Sequence, residues 1–384
     1  MLIAEAVFWL ALLILFTVYF GYPLGLALAA AVFGKRSAVI SKTDFYPKVA
    51  LVISVYNEEQ VLEEKIKNSL AQDYPQDKYK VIVVSDGSSD GTDRIVSEFD
   101  NQRLRLFRVA ERKGKTHGLN LVMAELEEEI VVFSDANSLF KADAIKNLVR
   151  PFADRAVGGV CGELKYRVDR GSGALSEGLY WRYETWIKRS EGKLSKVIVF
   201  NGSIYAMRRK LHQPMNVEAA NDFQHPVQIL LQGYQNRYEA SAVAYEERKE
   251  NDRTDFGRHV RITLRGWKGL SSYLDIINPF KVGFTGFHFF LRKPLRWLSP
   301  FLLITLMVTN VLLLTSPFYQ VLFALQVLLY LLALPGYLFN RKGIKTILNP
   351  VYYFCLTNYA LLVAFIYFIL NQSSATWTPT SHFK

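Results

Sequence analysis

Cysteine is nearly missing from this chain, with two in 384 residues, Cys161 and Cys355. One falls in a middle segment of globular composition and the other in a long apolar run. Two such isolated thiols exclude a disulfide framework and a cysteine metal site, and fit reduced, unpaired cysteines. Acid is also in short supply, with 35 Asp and Glu against 46 Lys and Arg, a net charge of +11. No nucleic-acid motif accompanies that excess, so a nucleic-acid partner is not expected. The basic residues cluster beside apolar runs, where they meet an anionic leaflet. Internal repeats and low-complexity tracts are absent too. A composition 50% hydrophobic and 14% aromatic excludes disorder.

The apolar residues gather at the two ends. From Ile3 to Ala31 only Glu5 is charged, long enough to cross a hydrocarbon core of about 30 Å as a helix. It lacks a basic leader and is too long for a signal peptide, so a retained span is expected. Three further spans are expected at Leu298–Leu314, Tyr319–Phe339 and Val351–Leu370. Lys35, Arg36, Lys42 and Lys48 follow the first span; Arg292, Lys293 and Arg296 precede the second; Arg341, Lys342 and Lys345 separate the last two. By the positive-inside rule these clusters and the middle segment face the cytoplasm, with the C-terminal tail outside. Tyr273–Trp297, broken by Pro279, Gly283, Gly286 and Pro294, reads as interfacial helices lying on the membrane.

Between Tyr46 and Leu270 short apolar runs alternate with helical periods. Strands are expected at Val49–Val55, Val81–Ser85, Leu104–Val109 and Ile130–Ser134. Helices are expected at Glu58–Ala71, capped by Asn57, then from Thr92 through Phe99, at His117–Glu127 and at Lys141–Phe152. The acidic run Glu125–Glu129 reads as a solvated helix end. Strands alternating with helices predict a largely parallel, doubly wound sheet, whose ligands bind beyond the carboxyl ends of the strands. Asn57, Asp86 and Asp135 each lie just past such an end.

Each motif at those ends is weak alone: an Asp-Gly pair is ordinary turn chemistry, and Asp222 can equally cap the helix that follows it. Val55-Tyr-Asn-Glu-Glu59 and Val84-Ser-Asp-Gly-Ser-Ser-Asp-Gly-Thr92 together resemble the nucleotide-binding half of family 2 glycosyltransferases, inverting enzymes of GT-A (nucleotide-diphospho-sugar transferase, Rossmann-like) fold. Arg112-Lys-Gly-Lys-Thr-His-Gly-Leu-Asn120 resembles the family's Gly-Lys-x-x-Ala-Leu-Asn segment, with Gly118 in place of Ala. Ser134-Asp-Ala-Asn137 stands at the family's Asp-x-Asp, and Asn201-Gly-Ser-Ile-Tyr-Ala-Met-Arg-Arg209 resembles the strand before the base. Ala219-Ala-Asn-Asp222 resembles the Glu-Asp segment, with Asn221 in place of the acid. Phe256-Gly-Arg-His-Val-Arg-Ile262 lies where processive members carry Gln-x-x-Arg-Trp, with Ile262 at the Trp position and Trp267 displaced toward the membrane surface.

The resemblance implies Tyr56, Asn57, Glu58, Asp86, Lys115, Asn120, Gly202 and Arg258 as substrate-binding residues. It implies Asp135 and Asn137 as ligands of Mg²⁺ or Mn²⁺, hard cations that take oxygen donors. Asp222 becomes the general base for an acceptor hydroxyl, and Arg261 stabilises the departing nucleoside diphosphate. His225, a lone histidine, is expected to pack or to lie on the surface. The expected arrangement is an N-terminal transmembrane helix (1–34), a cytoplasmic GT-A domain (46–270), an interfacial segment (271–297), about three C-terminal transmembrane helices (298–371) and a tail (372–384). The expected activity is transfer of a sugar from a UDP-sugar to a lipid-linked or growing polysaccharide acceptor at the inner membrane, with polysaccharide-export partners. Three other readings compete: a processive synthase extruding its own polymer, a non-catalytic nucleotide- or glycan-binding subunit of a synthase complex, and an unrelated nucleotidyltransferase. A polyprenyl-phosphate sugar synthase fits less well, because such enzymes keep a full Asp-x-Asp.

Overall fold

A computed structural model of the chain describes residues 1–34, 45–168, 174–248, 252–341 and 348–373. Lys35, Arg36, Lys42, Lys342 and Lys345 of the expected basic clusters, and most of the expected tail, lie outside the described residues.

The middle segment is built on one eight-stranded sheet. Its strands are β1 (Val49–Val55), β2 (Tyr79–Asp86), β3 (Leu104–Val109), β4 (Ile130–Asp135), β5 (Ser138–Phe140), β6 (Val157–Val168), β7 (Tyr205–Arg208) and β8 (Gln235–Arg248), in the order β3-β2-β1-β4-β7-β6-β8-β5. The four strands expected from the sequence form one parallel half, β3-β2-β1-β4. Beyond β4 the sheet turns mixed, because β7 runs antiparallel to β4 and β6, and β5 antiparallel to β8. The expectation of a largely parallel sheet therefore holds for half of it.

Alternation along β1 explains why the apolar runs are continuous. Val49, Leu51, Ile53 and Val55 face helices Glu59–Leu70, Thr92–Glu98 and Ala144–Val149. Ala50 and Val52 face helices Lys115–Glu125 and Asn221–Leu231 on the other side. A strand covered on both faces needs apolar residues at every position. The helix expected over Lys141–Phe152 is shorter, Ala144–Val149, and closes in a 3₁₀ turn at Arg150–Ala153, where Pro151 stands. Asn57 does not cap the first helix. Its backbone is left-handed (φ 53°); its backbone N–H donates to Ser88 Oγ at 3.2 Å, and its side chain bonds Ser89 of the β2 loop instead. The acidic run is not simply solvated either: Glu128 is buried beside Lys80 at 3.1 Å, and Glu129 pairs with Arg208 at 2.9 Å.

Among the described residues three helices are long and apolar enough to cross a membrane: Leu2–Val32, Pro317–Phe339 and Asn349–Ile369. The first is wound as a π-helix over Thr17–Gly21, just before Pro23. The span expected at Leu298–Leu314 is only the short helix Ser299–Leu312, bent by 61° from Phe284–Trp297. The two make a fourth crossing only if they count as one broken span. Tyr273–Trp297 is a run of short broken helices, as its Pro and Gly spacing requires.

Two junctions join the sheet domain to these helices. Helix Asp252–Ser272 lays Val260 and Leu264 on Ala360 and Ala364, and Phe256 stacks on Tyr359 with ring centres 5.3 Å apart. Trp267, expected at the membrane surface, is instead buried against Trp297, Phe365 and Phe368. The second junction is polar. Arg292 bonds Glu184 at 2.5 Å and Glu191 at 3.1 Å, and Arg296 bonds Glu184 at 2.6 Å, while Tyr22 of the first long helix reaches His288 at 3.2 Å. Arg292 and Arg296 were expected to face lipid headgroups; their guanidiniums are committed to carboxylates of helix Ala174–Lys193 instead. Buried charges survive only when paired in this way. The expected free cysteines are both unpaired, with Cys161 fully buried.

Close packing across the sheet gives a stability test. A methyl group on Gly159 would come within 2.6 Å of Asn236 Oδ1 and Phe200 Cζ, and 2.7 Å of Ile229 Cδ1. Overpacking of this kind costs about 1–3 kcal/mol. Gly159→Ala should therefore lower the thermal melting midpoint of the detergent-solubilised protein by several degrees, whereas Gly257→Ala, in a helix with nothing within 4 Å, should not.

Candidate active site

Sheet register sets the frame of the site. Ser54 of β1 pairs with Asp135 of β4, and Val55 with Ser85 of β2, so the three parallel strands end almost level. Asp86 and Asp135, two strands apart, are thus separated by roughly 10 Å at the usual strand spacing.

Asp86 accepts from the backbone N–H groups of Lys113 at 2.9 Å and Gly114 at 2.8 Å. It therefore holds the Arg112–Lys115 loop over the ends of the strands. Gly114 makes the turn with φ 96°, and helix Lys115–Glu125 starts directly after it. The loops after β1 and β2 are also zipped together. Glu58 N–H donates to Thr92 Oγ1 at 2.9 Å, and Glu59 Oε2 accepts from Gly91 N–H at 2.7 Å. The Arg112 guanidinium lies 3.8 Å over the Tyr56 ring. Asn120 faces elsewhere: its amide exchanges two hydrogen bonds with the backbone of Met215, at 2.8 and 2.9 Å. That makes it a clamp between the helix and the 212–220 loop, so the structure gives it a supporting part rather than the substrate contact expected.

At the end of β4 the Lys115 ammonium sits 2.5 Å from Asp135 Oδ1, and Ser203 Oγ donates to Oδ2 at 3.3 Å. Burial pushes the Asp135 carboxyl upward, but the Lys115 charge and these hydrogen bonds outweigh it and hold it below the usual range. Behind the turn lies Lys65, fully buried, which donates to Ser134 Oγ at 2.7 Å and to the Ser138 carbonyl, and packs over the Phe140 ring. Burial pushes its ammonium down to about 7 against the pull of Asp135 and Glu246. Sequence reasoning missed Lys65, Ser203 and Glu246, which reach the turn only through the fold.

Asp222 is the second residue of helix Asn221–Leu231, and the residue at the cap position is Ala220. It is therefore not the N-cap. Its carboxylate lies against Gly202, where a Cβ would come within 3.1 Å of Oδ2. Asn221 Nδ2 donates to Tyr205 Oη at 2.6 Å, Tyr205 Oη lies 2.8 Å from His225 Nδ1, and His225 Nε2 meets His212 Nδ1 at 3.1 Å. His225 is fully buried in this relay and is not a surface residue.

Helix Asp252–Ser272 packs between the site and the last long apolar helix. Arg258, Arg261 and Arg265 recur at helical spacing on one face. Arg265 Nη2 donates to Thr116 Oγ1 at 3.1 Å and to the Ala219 carbonyl at 2.9 Å, and its buried Nε has no hydrogen-bond partner among the described residues. Burial lowers its pKa, while Asp222 and Asp135, both within electrostatic reach, oppose that shift. Burial, with Arg265 and Arg258 as like-charged neighbours, lowers the Arg261 pKa to about 10. Such a row of crowded guanidiniums favours an incoming anion. Ile262 is exposed and offers no aromatic platform.

Oxygen donors at Asp135 and Asn137 suit Mg²⁺ or Mn²⁺, which take one or two protein ligands and fill the rest with phosphate and water. The Lys115 ammonium on Asp135 Oδ1 already shows that this oxygen faces a cation. Among the described residues no three His, Cys, Asp or Glu side chains gather as a complete metal-ligand cluster. The residues thus fit a cation shared with a bound diphosphate rather than one held by protein alone.

Comparison with known proteins agrees with this architecture. The family model described as "Glycosyl transferase family 2" matches residues 50–213. The Bacillus subtilis (strain 168) protein named "Probable glycosyltransferase YdaM" is 28% identical over 219 residues, covering 53% of this chain and 51% of that protein. A beta-monoglucosyldiacylglycerol synthase of Synechocystis is 32% identical over 117 residues, 29% of this chain and 24% of that protein. The chain thus spans about half the length, or less, of these curated relatives. Among solved structures, a mannosyltransferase from Pyrobaculum calidifontis, in complex with GDP-Man and Mn²⁺, superposes with a TM-score of 0.73 at 23% identity, over 96% of this chain and 100% of that one. The likeness establishes the GT-A fold expected from the sequence.

The histidine relay has a consequence for acid stability. Burial holds His212 at about 4, and burial, together with the neighbouring His212 and Lys115 charges, holds His225 well below its ordinary value of 6.5. Below pH 6.5 the unfolded chain binds protons that the folded relay refuses, so stability falls as pH drops, by about 1.4 kcal/mol per pH unit for each such histidine. Melting midpoints should decline from pH 6.5 toward 4.5, and less steeply in His212→Gln.

Proposed function

Taking as premise that residues 50–213 form a glycosyl transferase family 2 domain, we propose that this chain is a membrane-bound inverting glycosyltransferase using a UDP-sugar donor. The observation that carries the reading is that adjacent residues Gly202 and Ser203 touch Asp222 and Asp135, while Arg265 is anchored beside the site through Thr116 and the Ala219 carbonyl. That puts a base, a cationic row and the acidic strand end around one crevice at the carboxyl ends of the strands, where α/β sheets bind their ligands.

Each group then has a part in the reaction. The Arg112–Lys115 loop, held by Asp86, lies along the nucleotide, with Tyr56, Asn57 and Glu58 lining the β1 side. Lys115, Arg258 and Arg261 bind the diphosphate and stabilise the charge that builds on it. A divalent cation held by Asp135 and Asn137, when bound, supplies further charge neutralisation to that leaving group. The acceptor hydroxyl attacks the anomeric carbon from the face opposite the diphosphate. As the new C–O bond forms, the bond to the phosphate oxygen breaks and the hydroxyl proton passes to the Asp222 carboxylate. Gly202 leaves the space beside Asp222 that the sugar occupies, since any side chain there would crowd the carboxylate.

The apolar helices and the helix Asp252–Ser272 that packs on one of them support a multi-pass protein with the site at the bilayer surface. Arg341 and Lys48, with the basic residues beyond the described segments, favour a cytoplasmic site. A diacylglycerol-glucosylating relative supports a lipid or lipid-linked acceptor. The test is a screen of UDP- and GDP-sugars with Mg²⁺ or Mn²⁺ and membrane-lipid acceptors, using full-length protein and Asp222→Asn. Sugar transfer by wild type with release of UDP is expected. In Asp222→Asn nucleotide binding should persist while turnover drops about 10²–10⁴-fold, the usual weight of a general base. Undiminished transfer in that variant removes the assigned base.

A further inference from the structure

The turn Asp135-Ala-Asn137 carries one carboxylate, yet two lysines press on it: Lys115 from the crevice and Lys65 from the interior. Asp135 alone against two ammonium groups would leave the pocket net positive and hostile to a divalent cation. Glu246 of β8 is the compensating group. It faces Ser138 directly in the β5–β8 pairing, and its Oε1 accepts from Ser138 Oγ at 2.5 Å and from Ser203 Oγ. Ser203 Oγ also lies 3.3 Å from Asp135 Oδ2, so one hydroxyl, with a single proton to share, stands between the two carboxylates. Glu246 thus touches both flanks of the turn without standing among its ligands: through Ser203 it reaches Asp135, and through Ser138 the residue next to Asn137.

We propose that Glu246 is a positioning residue for the cation site, supplying from behind the negative charge that Asn137 lacks and fixing the turn through Ser203 and Ser138. The inference rests on the cation assignment at Asp135 and Asn137. Carboxylates that orient metal ligands in this way typically govern about 10–100-fold in metal affinity.

The test is Mn²⁺ binding to full-length, detergent-solubilised protein in the presence of UDP, read by calorimetry or by the paramagnetic signal of free Mn²⁺. UDP binding in EDTA serves as the control for the nucleotide half. Glu246→Gln keeps shape and removes charge; it should weaken Mn²⁺ binding about 10–100-fold and leave UDP binding in EDTA unchanged. Adding Asn137→Asp to that variant moves the charge back to the turn and should recover most of the loss, which a merely structural role would not allow. Should Glu246→Gln fail to fold, Ser203→Ala, which cuts the bridge to Asp135, should weaken Mn²⁺ in the same direction. Wild-type Mn²⁺ affinity in Glu246→Gln, or in Ser203→Ala, overturns the role of Glu246. Wild-type protein that binds UDP but no Mn²⁺ overturns the cation assignment and this inference with it, while sugar transfer under EDTA would leave the proposed activity standing.

Discussion

Guanidinium groups on a desolvated helix face are costly unless carboxylates answer them, and helix Asp252–Ser272 meets that constraint at Arg265. One face carries Arg258, Arg261 and Arg265, and the last of these is countered by Asp222 and Asp135 from the sheet domain. The other face carries Val260 and Leu264, which bury against Ala360 and Ala364 of the last long apolar helix. A single helix therefore fixes the distance between the crevice and the apolar helices. Shifting it by one residue would turn the arginines about 100° away from the carboxylates and expose the apolar stripe. The Glu184–Arg292 pair does the same work on the other side of the domain, tying helix Ala174–Lys193 to the short helices next to Trp297. Through Lys188, which bonds Asn201, that helix also touches the turn that holds Gly202 against Asp222.

Much of this was legible in the sequence, for a physical reason. Strands β1, β2 and β4 are covered on both faces, so each reads as an apolar run leading into polar residues that mark the crevice, whereas edge strand β3 carries exposed Arg105 and Arg108. The mixed half was not legible. β6 is 12 residues and β8 is 14, and each mixes polar with apolar residues because it crosses from the core to a partly open surface. Asn57 looked like a helix cap because its type favours caps; its left-handed backbone serves the loop-to-loop zipper instead. Trp267 looked displaced because spacing along a helix does not reveal which neighbours cover it, and here Trp297 and Phe368 do. Lys65 and Glu246 carried no signal at all. A buried lysine reads like any helix-surface lysine until a fold places Ser134 and the Ser138 carbonyl on its ammonium.

The two amides that replace family acids, Asn137 and Asn221, suit their surroundings for different reasons. At Asn221 the neighbour is the Tyr205 hydroxyl, whose oxygen accepts from the Asn221 amide at 2.6 Å and lies 2.8 Å from His225 Nδ1. An amide N–H donates to that oxygen where an ionised carboxylate could not. A carboxylate here would also bring a second negative charge next to Asp222 in a desolvated spot, raising the proton affinity of both and blunting whichever is meant to be the base. The amide therefore keeps Asp222 the single acid at the helix start, with Arg265 as its counter-charge. At Asn137 no such donor requirement is visible, and the charge balance is met from a distant strand. One substitution is explained by hydrogen-bond direction, the other by electrostatics, and Asp222 and Asp135 are each left opposite a cation, Arg265 and Lys115.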